Sequence, residues 1–409
     1  MAIEVQCPNC SRTYNVKDSF AGRVITCKSC AAEMRVPKKR RPYGGTRRKR
    51  QSRQTDSWAA QIPLELKIFA GIGAFIIMGL VLGLAARHDE LPNAIAPNQP
   101  PQSAAALGLP DQSQPGVPFN LSGYQLPPFP DLGPGQPIPA SQVQLHLVKF
   151  SNPSQGMQPA FNMNLRVYMP SGEHAAGSLP LVLVAPAGSP LFIGNHLDDA
   201  DYHVETLPYA EAGAVVIHYS LDGSVPDLDS ASDFQLMHAH TQYRNACSGL
   251  VNAKCAIEYA LAKIPAVNPQ KIITAGHSSA ATHAALLAEH ESRLAACIAY
   301  CPCIDVEKWC QGVVDAVGNS SGFRGIETFL NKSSPRNFVD KIQCPVFLFH
   351  PLDDSRVDYS ESQMFYQRLT ELGKDVTFSK PDVYGDHYQP MVDVGIPRAI
   401  EWLRSKDLL

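Results

Sequence analysis

The sequence lacks charge over two long stretches and lacks acidic residues over a third. No charged residue lies within 68–86, and only Asp111 and Asp131 are charged within 91–140. Residues 38–53 hold nine Lys and Arg side chains and no acid. This unevenness excludes a uniformly basic nucleic-acid binder and a single homogeneous soluble domain. With 44% hydrophobic and 18% charged residues, the 409-residue chain is nevertheless typical of globular domains rather than of a wholly disordered protein.

The uncharged stretch within 64–87 has the length of a membrane span. Its 19 uncharged residues, at about 1.5 Å each in a helix, match a hydrocarbon core of roughly 30 Å. A buried core helix is the alternative, and a cleaved signal peptide is disfavoured because more than sixty residues precede the stretch. We therefore predict one transmembrane helix over 64–87.

The flanking charges predict the orientation of that helix. Residues 1–66 carry 14 basic and 5 acidic side chains, whereas the remainder carries 21 and 33. Basic flanks stay in the cytoplasm, so we expect a cytoplasmic N-terminus and an extracytoplasmic C-terminal part, as in a single-pass protein of a bacterial inner membrane. The basic segment 38–63 would also attract anionic lipid or nucleic acid. We favour the topological role and expect no nucleic-acid partner.

Residues 88–140 contain many prolines and almost no charge. Of the 34 prolines in the chain, 13 fall between Leu91 and Ala140. A segment of this composition buries too little apolar surface to offset the entropy lost on ordering. We predict a disordered linker that tethers the following domain to the membrane.

Four cysteines near the N-terminus form two CxxC pairs, which are Cys7 with Cys10 and Cys27 with Cys30. Two such pairs complete the tetrahedral sulfur shell that Zn²⁺ favours in structural sites, and a cytosolic location disfavours the alternative of two disulfides. We predict a β-hairpin between the pairs with its turn at Ala21 and Gly22. The segment 1–37 resembles the small zinc ribbons at the N-termini of some bacterial membrane proteins, and its partner is unknown.

From residue 141 to 409 short apolar runs alternate with helical stretches. Alternating segments near 143–150 and 161–169 are typical of edge strands, and continuous apolar runs are typical of strands buried on both faces of a parallel sheet. The pattern predicts a doubly wound, mostly parallel α/β sheet. The continuous runs are 179–186, 214–219, 271–276, 294–300 and 344–350.

A serine lies between one buried strand and an apolar helix. The sequence there reads Gly276-His277-Ser278-Ser279-Ala280, a G-x-S-x-A pattern. Small residues two positions before and after the serine let strand and helix pack closely at a sharp turn, which raises the serine above the sheet edge. We therefore predict that Ser278 is a nucleophile, although a small residue in an ordinary turn is the simpler interpretation.

Downstream motifs supply an acid and a base in the order Ser, Asp, His. The segment 350–357 reads HPLDDSRV, and Gly385-Asp386-His387 precedes the last helix. At these residues the sequence resembles the α/β-hydrolase superfamily, most closely its prolyl-oligopeptidase and dienelactone-hydrolase branch, whose acid loop reads H-G-x-x-D-x-x-V. Pro351 replaces the glycine of that motif. The register selects Asp354, with Asp353 as the alternative.

The resemblance implies a role for each matching residue. Ser278 would attack a carbonyl, His387 would transfer the proton, and Asp354 would orient the imidazole. The backbone N–H groups of Ser279 and Ala187 would form the oxyanion hole, with Gly188 next in line. The catalytic residues are therefore predicted to be Ser278, Asp354 and His387, and no catalytic cofactor is expected.

Two further expectations concern the C-terminal domain, which holds seven cysteines. In an oxidising compartment some of them should pair, and Cys301 or Cys303 with Cys310 forms a plausible short loop. Residues 306–340 are predicted to cap the site.

The function we predict is a membrane-anchored serine hydrolase that cleaves ester or other acyl bonds. The alternatives are a prolyl-oligopeptidase-like peptidase and a non-catalytic membrane sensor or scaffold.

Overall fold

A computed structural model describes the chain over 2–6, 13–17, 24–26, 33–35, 112–152, 161–197, 203–317, 320–379 and 382–409. The chain divides into two compact units, Met1–Ile62 and Pro63–Leu409. The predicted transmembrane helix over 64–87 and the basic segment 38–63 lie outside the described residues. Within the described ranges, no helix combines the length and the apolar character that crossing a membrane requires.

The N-terminal unit contains two antiparallel hairpins, and neither is the hairpin predicted from the sequence. Strand β1 (Ala2–Gln6) pairs with β2 (Thr13–Lys17), and β3 (Val24–Thr26) pairs with β4 (Glu33–Arg35). The prediction paired β2 with β3 and is wrong. Each observed hairpin has a connection of six residues, and each of these connections carries one CxxC pair. Cys7, Cys10, Cys27 and Cys30 themselves lie outside the described residues.

The larger unit is built on a nine-stranded sheet in the order β13-β12-β11-β10-β8-β9-β7-β6-β5. The six strands from β13 to β9 run parallel, and β7, β6 and β5 complete one edge in antiparallel fashion. This agrees with the predicted mostly parallel α/β sheet. The strands are β5 (Gln136–Pro137), β6 (Val143–Asn152), β7 (Phe161–Pro170), β8 (Leu179–Val184), β9 (Val215–Tyr219), β10 (Val267–His277), β11 (Leu294–Tyr300), β12 (Val346–Phe349) and β13 (Val376–Phe378).

Helices cover both faces of this sheet. Successive residues of β8 show the arrangement, because Leu181 and Leu183 enter one apolar core whereas Val182 and Val184 enter the other. The helices are α1 (His203–Glu211), α2 (Asp233–Asn245), α3 (Leu250–Lys263), α4 (Ser279–His290), α5 (Val306–Trp309), α6 (Gln311–Val317), α7 (Ile326–Lys332), α8 (Tyr359–Glu371) and α9 (Ile396–Ser405). Helices α3, α4 and α8 contribute to the first core, and α1 and α9 contribute to the second.

The segment 112–140 corrects the prediction of a disordered linker over 88–140. Phe119 is 5% exposed and joins the main core. The Tyr124 hydroxyl donates to the carbonyl of Asn245 at 2.6 Å, and Lys263 forms an ion pair with Asp131 at 2.7 Å. Its spaced aromatic and aliphatic side chains therefore find partners on the domain that the composition of the segment does not reveal. We call residues 112–132 the strap.

The expected disulfide is also absent from the described residues. All seven cysteines beyond residue 111 are free thiols and all are buried. The thiol of Cys310 points to the carbonyl of Pro190, and that of Cys301 points to the carbonyl of His387. The pairing of Cys301 or Cys303 with Cys310 is therefore not formed, because each thiol has its own packing environment.

Candidate active site

The three residues predicted to carry the chemistry, and one further cysteine, follow four neighbouring parallel strands. Ser278 follows β10, Cys301 follows β11, Asp354 follows β12, and His387 follows β13. These strands are adjacent in the sheet, so their carboxyl ends share one edge. In open α/β sheets, ligands bind in the crevice outside that edge.

Ser278 occupies a strained turn between β10 and α4. Its backbone has φ 57° and ψ −124°, a conformation that non-glycine residues rarely adopt. The Ser278 N–H donates to the carbonyl of Tyr300 at 2.9 Å, which anchors the turn to β11. A Cβ atom added at Gly276 would lie 2.3 Å from the backbone oxygen of Ala280. The turn is therefore as tight as the G-x-S-x-A pattern predicts.

His387 and Asp354 are in direct contact. The Nδ1–H of His387 donates to Oδ2 of Asp354 at 2.6 Å. The other carboxylate oxygen, Oδ1, accepts the backbone N–H groups of Arg356 and Val357 at 2.8 and 3.0 Å. Burial opposes ionisation of Asp354, but hydrogen bonds from His350 and His387 outweigh it and hold the pKa of Asp354 well below its ordinary value.

The alternative acid, Asp353, binds a backbone N–H group instead of the imidazole. Its Oδ1 accepts the backbone N–H of Gly385 at 2.5 Å and so ties the loop after β12 to the loop that carries His387. The geometry thus separates the two adjacent aspartates. Asp354 faces the imidazole, whereas Asp353 holds the backbone two residues before it.

The hydrogen bond between Ser278 and His387 is not formed in this structure. The Nε2 of His387 is buried and makes no hydrogen bond to any described residue. The ring of His387 packs against that of His277, the residue directly before Ser278, with centroids 4.5 Å apart. In unliganded hydrolases the nucleophile–base contact is often long and tightens when substrate binds.

His277 is a neutral neighbour rather than a second base. Its Nε2–H donates to the backbone carbonyl of His387 at 2.9 Å, since a carbonyl only accepts. Burial, reinforced by the nearby charge of His387, lowers the pKa of His277 to about 3. His277 therefore supports the His387 loop and does not take a proton at neutral pH.

A hydrogen-bonded loop follows β8 and approaches the residue after the serine. The Ser189 N–H donates to the side-chain oxygen of Ser279 at 3.0 Å. The side chain of Asn195 donates to the carbonyl of Ala187 at 2.6 Å, and the Ser189 hydroxyl accepts from Leu191 N–H at 3.0 Å. These bonds place Ala187 on the same side of the sheet edge as Ser279. Gly188 has φ 84°, which turns the chain between Ala187 and Ser189.

The predicted cap, 306–340, packs against this loop at one identified position. The Cys310 thiol donates to the carbonyl of Pro190 at 3.6 Å. Farther along the segment, Phe323 and Phe329 pack on the ring of His240, whose Nδ1 contacts the Phe192 carbonyl of the loop at 2.8 Å. The segment thus supports the loop from outside.

Two overlapping groups of side chains have the donor types for a metal ion. The donor atoms of His277, Cys301 and His387 lie within 4.8 Å of one another, as do those of Cys301, His350 and Asp354. Burial and the nearby Asp354 carboxylate raise the pKa of the Cys301 thiol well above its ordinary value, which disfavours the thiolate that a metal needs. These groups are therefore better suited to hydrogen bonding than to metal binding.

Two contributors to the site were missed by the sequence reasoning. Cys301 was assigned to a disulfide, yet its side chain contacts Asp354. The sequence gives His350 no role beyond its place at the start of the 350–357 motif, yet its Nε2 lies 3.2 Å from Asp354 Oδ2. The sequence does contain a pattern for His350, because the histidine stands four residues before the aspartate in the acid-loop motif. No sequence pattern indicates a role for Cys301.

The fold and the site have the arrangement that the resemblance to α/β hydrolases predicts. A mostly parallel sheet presents a strained serine after one strand and a histidine–carboxylate pair after two neighbouring strands. A model of the prolyl oligopeptidase family matches residues 238–387, a segment that contains Ser278, Asp354 and His387. No curated protein matches the chain.

Several solved structures are similar at low identity. An acetyl xylan esterase from Paenibacillus sp. R4 is 16% identical, with a TM-score of 0.49, over 66% of this chain and 88% of that one. The acylaminoacyl peptidase of Pyrococcus horikoshii is 16% identical, with a TM-score of 0.48, over 64% of this chain and 41% of that one. A thermophilic esterase from the planctomycete Thermogutta terrifontis is 16% identical, with a TM-score of 0.45, over 61% and 91%.

Proposed function

We propose that this protein is a serine hydrolase that cleaves carboxylic esters or related acyl bonds through an acyl-enzyme formed on Ser278. The observation that carries the proposal is the 2.6 Å hydrogen bond between His387 and Asp354, at the same sheet edge as the strained turn of Ser278. A buried ionised carboxylate on Nδ1 fixes the imidazole tautomer that leaves Nε2 as the proton acceptor.

In the proposed mechanism His387 Nε2 removes the proton from Ser278 Oγ as that oxygen attacks the substrate carbonyl. The resulting imidazolium is stabilised by Asp354 and returns the proton to the leaving group when the tetrahedral intermediate collapses. Water then attacks the acyl-enzyme, with His387 again acting as the base. Ser278 is regenerated when the acid product leaves.

The oxyanion of each tetrahedral intermediate needs N–H donors that are fixed in advance. The backbone N–H of Ser279, at the start of α4, is one candidate, and that of Ala187 is the other. The hydrogen bond from Ser189 to the Ser279 side chain supports this assignment, because it connects the two segments that carry the donors.

A peptidase activity of the prolyl-oligopeptidase kind is the second candidate, and the match of the family model over residues 238–387 favours it. The two reactions use the same catalytic residues and differ in the leaving group. Turnover of a p-nitrophenyl ester series should be compared with that of aminoacyl nitroanilides on the same preparation. We expect the esters to be cleaved; cleavage of only the anilides would favour the peptidase.

A non-catalytic sensor or scaffold is tested separately. The full-length protein, in detergent, should react with a fluorophosphonate probe, and the Ser278→Ala variant should not. The matched control is Ser333→Ala, which removes a buried hydroxyl that donates to a helix carbonyl at 2.8 Å outside the site. A wild-type protein that does not react, although folded, would favour the scaffold.

The membrane anchor and the zinc site are part of this proposal. The uncharged stretch within 64–87 supports a single span with the catalytic domain outside the cytoplasm. Protease added to intact spheroplasts should then release that domain, and full protection would contradict the orientation.

For zinc, the four cysteines lie in the connections of the two hairpins, and β1 also contacts β4. Elemental analysis should find one Zn per chain, lost in a Cys7→Ser/Cys27→Ser variant.

A further inference from the structure

Two imidazoles meet the same oxygen of Asp354. His387 Nδ1 lies 2.6 Å from Asp354 Oδ2, and His350 Nε2 lies 3.2 Å from it. His350 comes from the end of β12, four residues before the aspartate, whereas His387 comes from the loop after β13. The mechanism above uses only His387 and leaves His350 without a role.

His350 is held rigidly, and its tautomer follows from its partners. Its side chain has no solvent exposure. Its Nε2 lies 3.0 Å from the carbonyl of Val357, which only accepts, so Nε2 carries a hydrogen that is shared between Val357 and Asp354 Oδ2. Its Nδ1 lies 2.7 Å from the hydroxyl of Ser362 in α8, which completes the bonding of the neutral ring.

The backbone donors to Asp354 fix only one of its two carboxylate oxygens. Oδ1 accepts two backbone N–H groups, from Arg356 and Val357, which fix that oxygen to its own loop. The position of Oδ2 depends on side chains. His387 belongs to a different loop, so its bond is made only when Oδ2 already points towards it. His350 is the rigid imidazole donor to Oδ2, and the thiol of Cys301 also contacts the carboxylate.

We propose that His350 is a positioning residue that holds Asp354 Oδ2 in the orientation that receives His387 Nδ1–H. Through this shared oxygen it also divides the negative charge of the carboxylate between two imidazoles. This inference rests on the proposed function, because it deepens the account of the same site. His350 touches no reacting atom and acts through Asp354.

Removal of the His350 donor has two expected consequences. In His350→Leu the carboxylate is free to turn, so kcat should fall about 10- to 100-fold, the range for loss of a hydrogen bond to a charged group. KM should stay within about threefold, because ground-state binding is unaffected. In the molecules in which Asp354 still faces His387, the carboxylate no longer shares its charge with a second imidazole, and this favours the protonated form of His387. The acid limb of the kcat/KM profile should therefore move to higher pH.

The experiment uses the full-length protein with a p-nitrophenyl ester and compares three variants. His350→Gln keeps an N–H donor near the position of Nε2 and should restore most of kcat and the wild-type acid limb. His283→Leu is the matched control: that ring is also buried, with Nδ1 3.1 Å from the Ser248 carbonyl and Nε2 2.9 Å from the Tyr219 hydroxyl. It should lower thermal stability without moving the acid limb.

The other ionisable groups around the two imidazoles are the same in all of these variants, so a shift reports position 350. His277 lies beside His387, and Cys301 lies beside Asp354. Asp358, directly before α8, and Tyr359, the first residue of α8, lie beside His350.

Two outcomes would overturn the inference. One is a His350→Leu protein with wild-type kcat and an unmoved acid limb, and the other is an equal shift in His283→Leu. If His350→Leu does not fold, Ser362→Ala decides, because it frees the ring from α8 and should shift the profile in the same direction by less. An unshifted Ser362→Ala profile then counts against the role. A wild-type protein that fails to react with the fluorophosphonate would instead overturn the proposed function.

Discussion

The backbone of Ser189 and the side chain of Ser279 are joined by a 3.0 Å hydrogen bond across two segments 90 residues apart in sequence. Ser279 begins α4 directly after the proposed nucleophile, and Ser189 lies two residues after Ala187. The bond therefore sets the distance between the two backbone donors assigned to the oxyanion hole. The G-x-S-x-A motif allows any residue at position 279, so it does not predict this role for the Ser279 side chain.

The first prediction concerns this link. Ser279→Ala keeps the backbone donor but leaves the Ser189 N–H without its buried acceptor, so the loop with Ala187 should loosen. We expect kcat to fall about 5- to 50-fold with little change in KM, because the oxyanion exists only in the transition state. Steady-state kinetics of Ser279→Ala and of the control Ser333→Ala measure this. Equal kcat values for the two variants would refute the link.

The second prediction separates the adjacent aspartates. Asp354→Asn keeps the shape of the side chain but favours the wrong tautomer of His387, so kcat should fall by about 10⁴-fold. Asp353→Asn keeps an oxygen that accepts the Gly385 N–H, so its loss should be far smaller. Single-turnover kinetics with an activated ester measure both variants. A larger loss in Asp353→Asn would reverse the assignment.

The third prediction tests the sharp turn. Gly276→Ala places a Cβ atom 2.3 Å from the backbone oxygen of Ala280, and neither backbone segment can yield easily. The free energy of unfolding should fall by about 1–3 kcal/mol or more. Gly133→Ala is the control, because nothing lies within 4 Å of its added Cβ. Denaturant melts should show a change within about 0.5 kcal/mol for that variant.

The fourth prediction concerns pH and Asp222, which follows β9. Burial raises the pKa of Asp222 to about 6, against weaker opposing hydrogen bonds from Asn252 and Asn162. The folded state therefore keeps a proton that the unfolded state releases near pH 4, so stability falls as pH rises through this interval. Asp222→Asn removes that loss. It should unfold at a higher temperature than wild type above pH 6.

The comparison between pH values makes this test specific. At pH 3 the wild-type carboxyl is largely protonated in both the folded and the unfolded state, so the stability difference between Asp222→Asn and wild type should shrink towards zero. Asp315→Asn, at an exposed carboxyl of α6, serves as the control for the substitution itself. A constant difference across the range would mean that the carboxyl titrates equally in both states.

Much of the site could be predicted because its residues stand at strand ends. Continuous apolar runs located β8 to β12, and residues at the carboxyl ends of parallel strands share one edge. That reasoning brought Ser278, Asp354 and His387 together. It could not find Cys301, since a buried thiol after β11 leaves no pattern, nor the pairing of each N-terminal hairpin across its own CxxC connection.

The strap was missed for a different physical reason. Composition averages over a window, and within 91–140 prolines and small residues outweigh the apolar side chains. Packing depends instead on individual anchors: Phe129 meets Phe150 and Tyr259 with ring centroids 5.6 and 5.8 Å away, respectively. A few such anchors offset the ordering cost of a chain that proline has already stiffened.

The last prediction tests those anchors. The ring of Phe119 lies 6.1 Å from that of Phe329 and 6.2 Å from that of His290, and Lys332 Nζ lies 5.7 Å from its centroid. Phe119→Ala should lower the free energy of unfolding by about 3–5 kcal/mol. Activity at temperatures where the variant stays folded should be unchanged, because the ring of Phe119 packs on Phe329, His290 and Lys332, which have no role in the proposed mechanism.

The matched control is Val117→Ala, two residues away and 47% exposed, which should cost less than about 0.5 kcal/mol. Limited proteolysis adds an independent readout, since release of the strap exposes its backbone to cleavage between residues 112 and 132. Phe119→Ala should be cut there faster than wild type, and Val117→Ala should not. Equal cutting of all three proteins would return this segment to the role of a mobile tether, because only a packed strap is protected by its anchors.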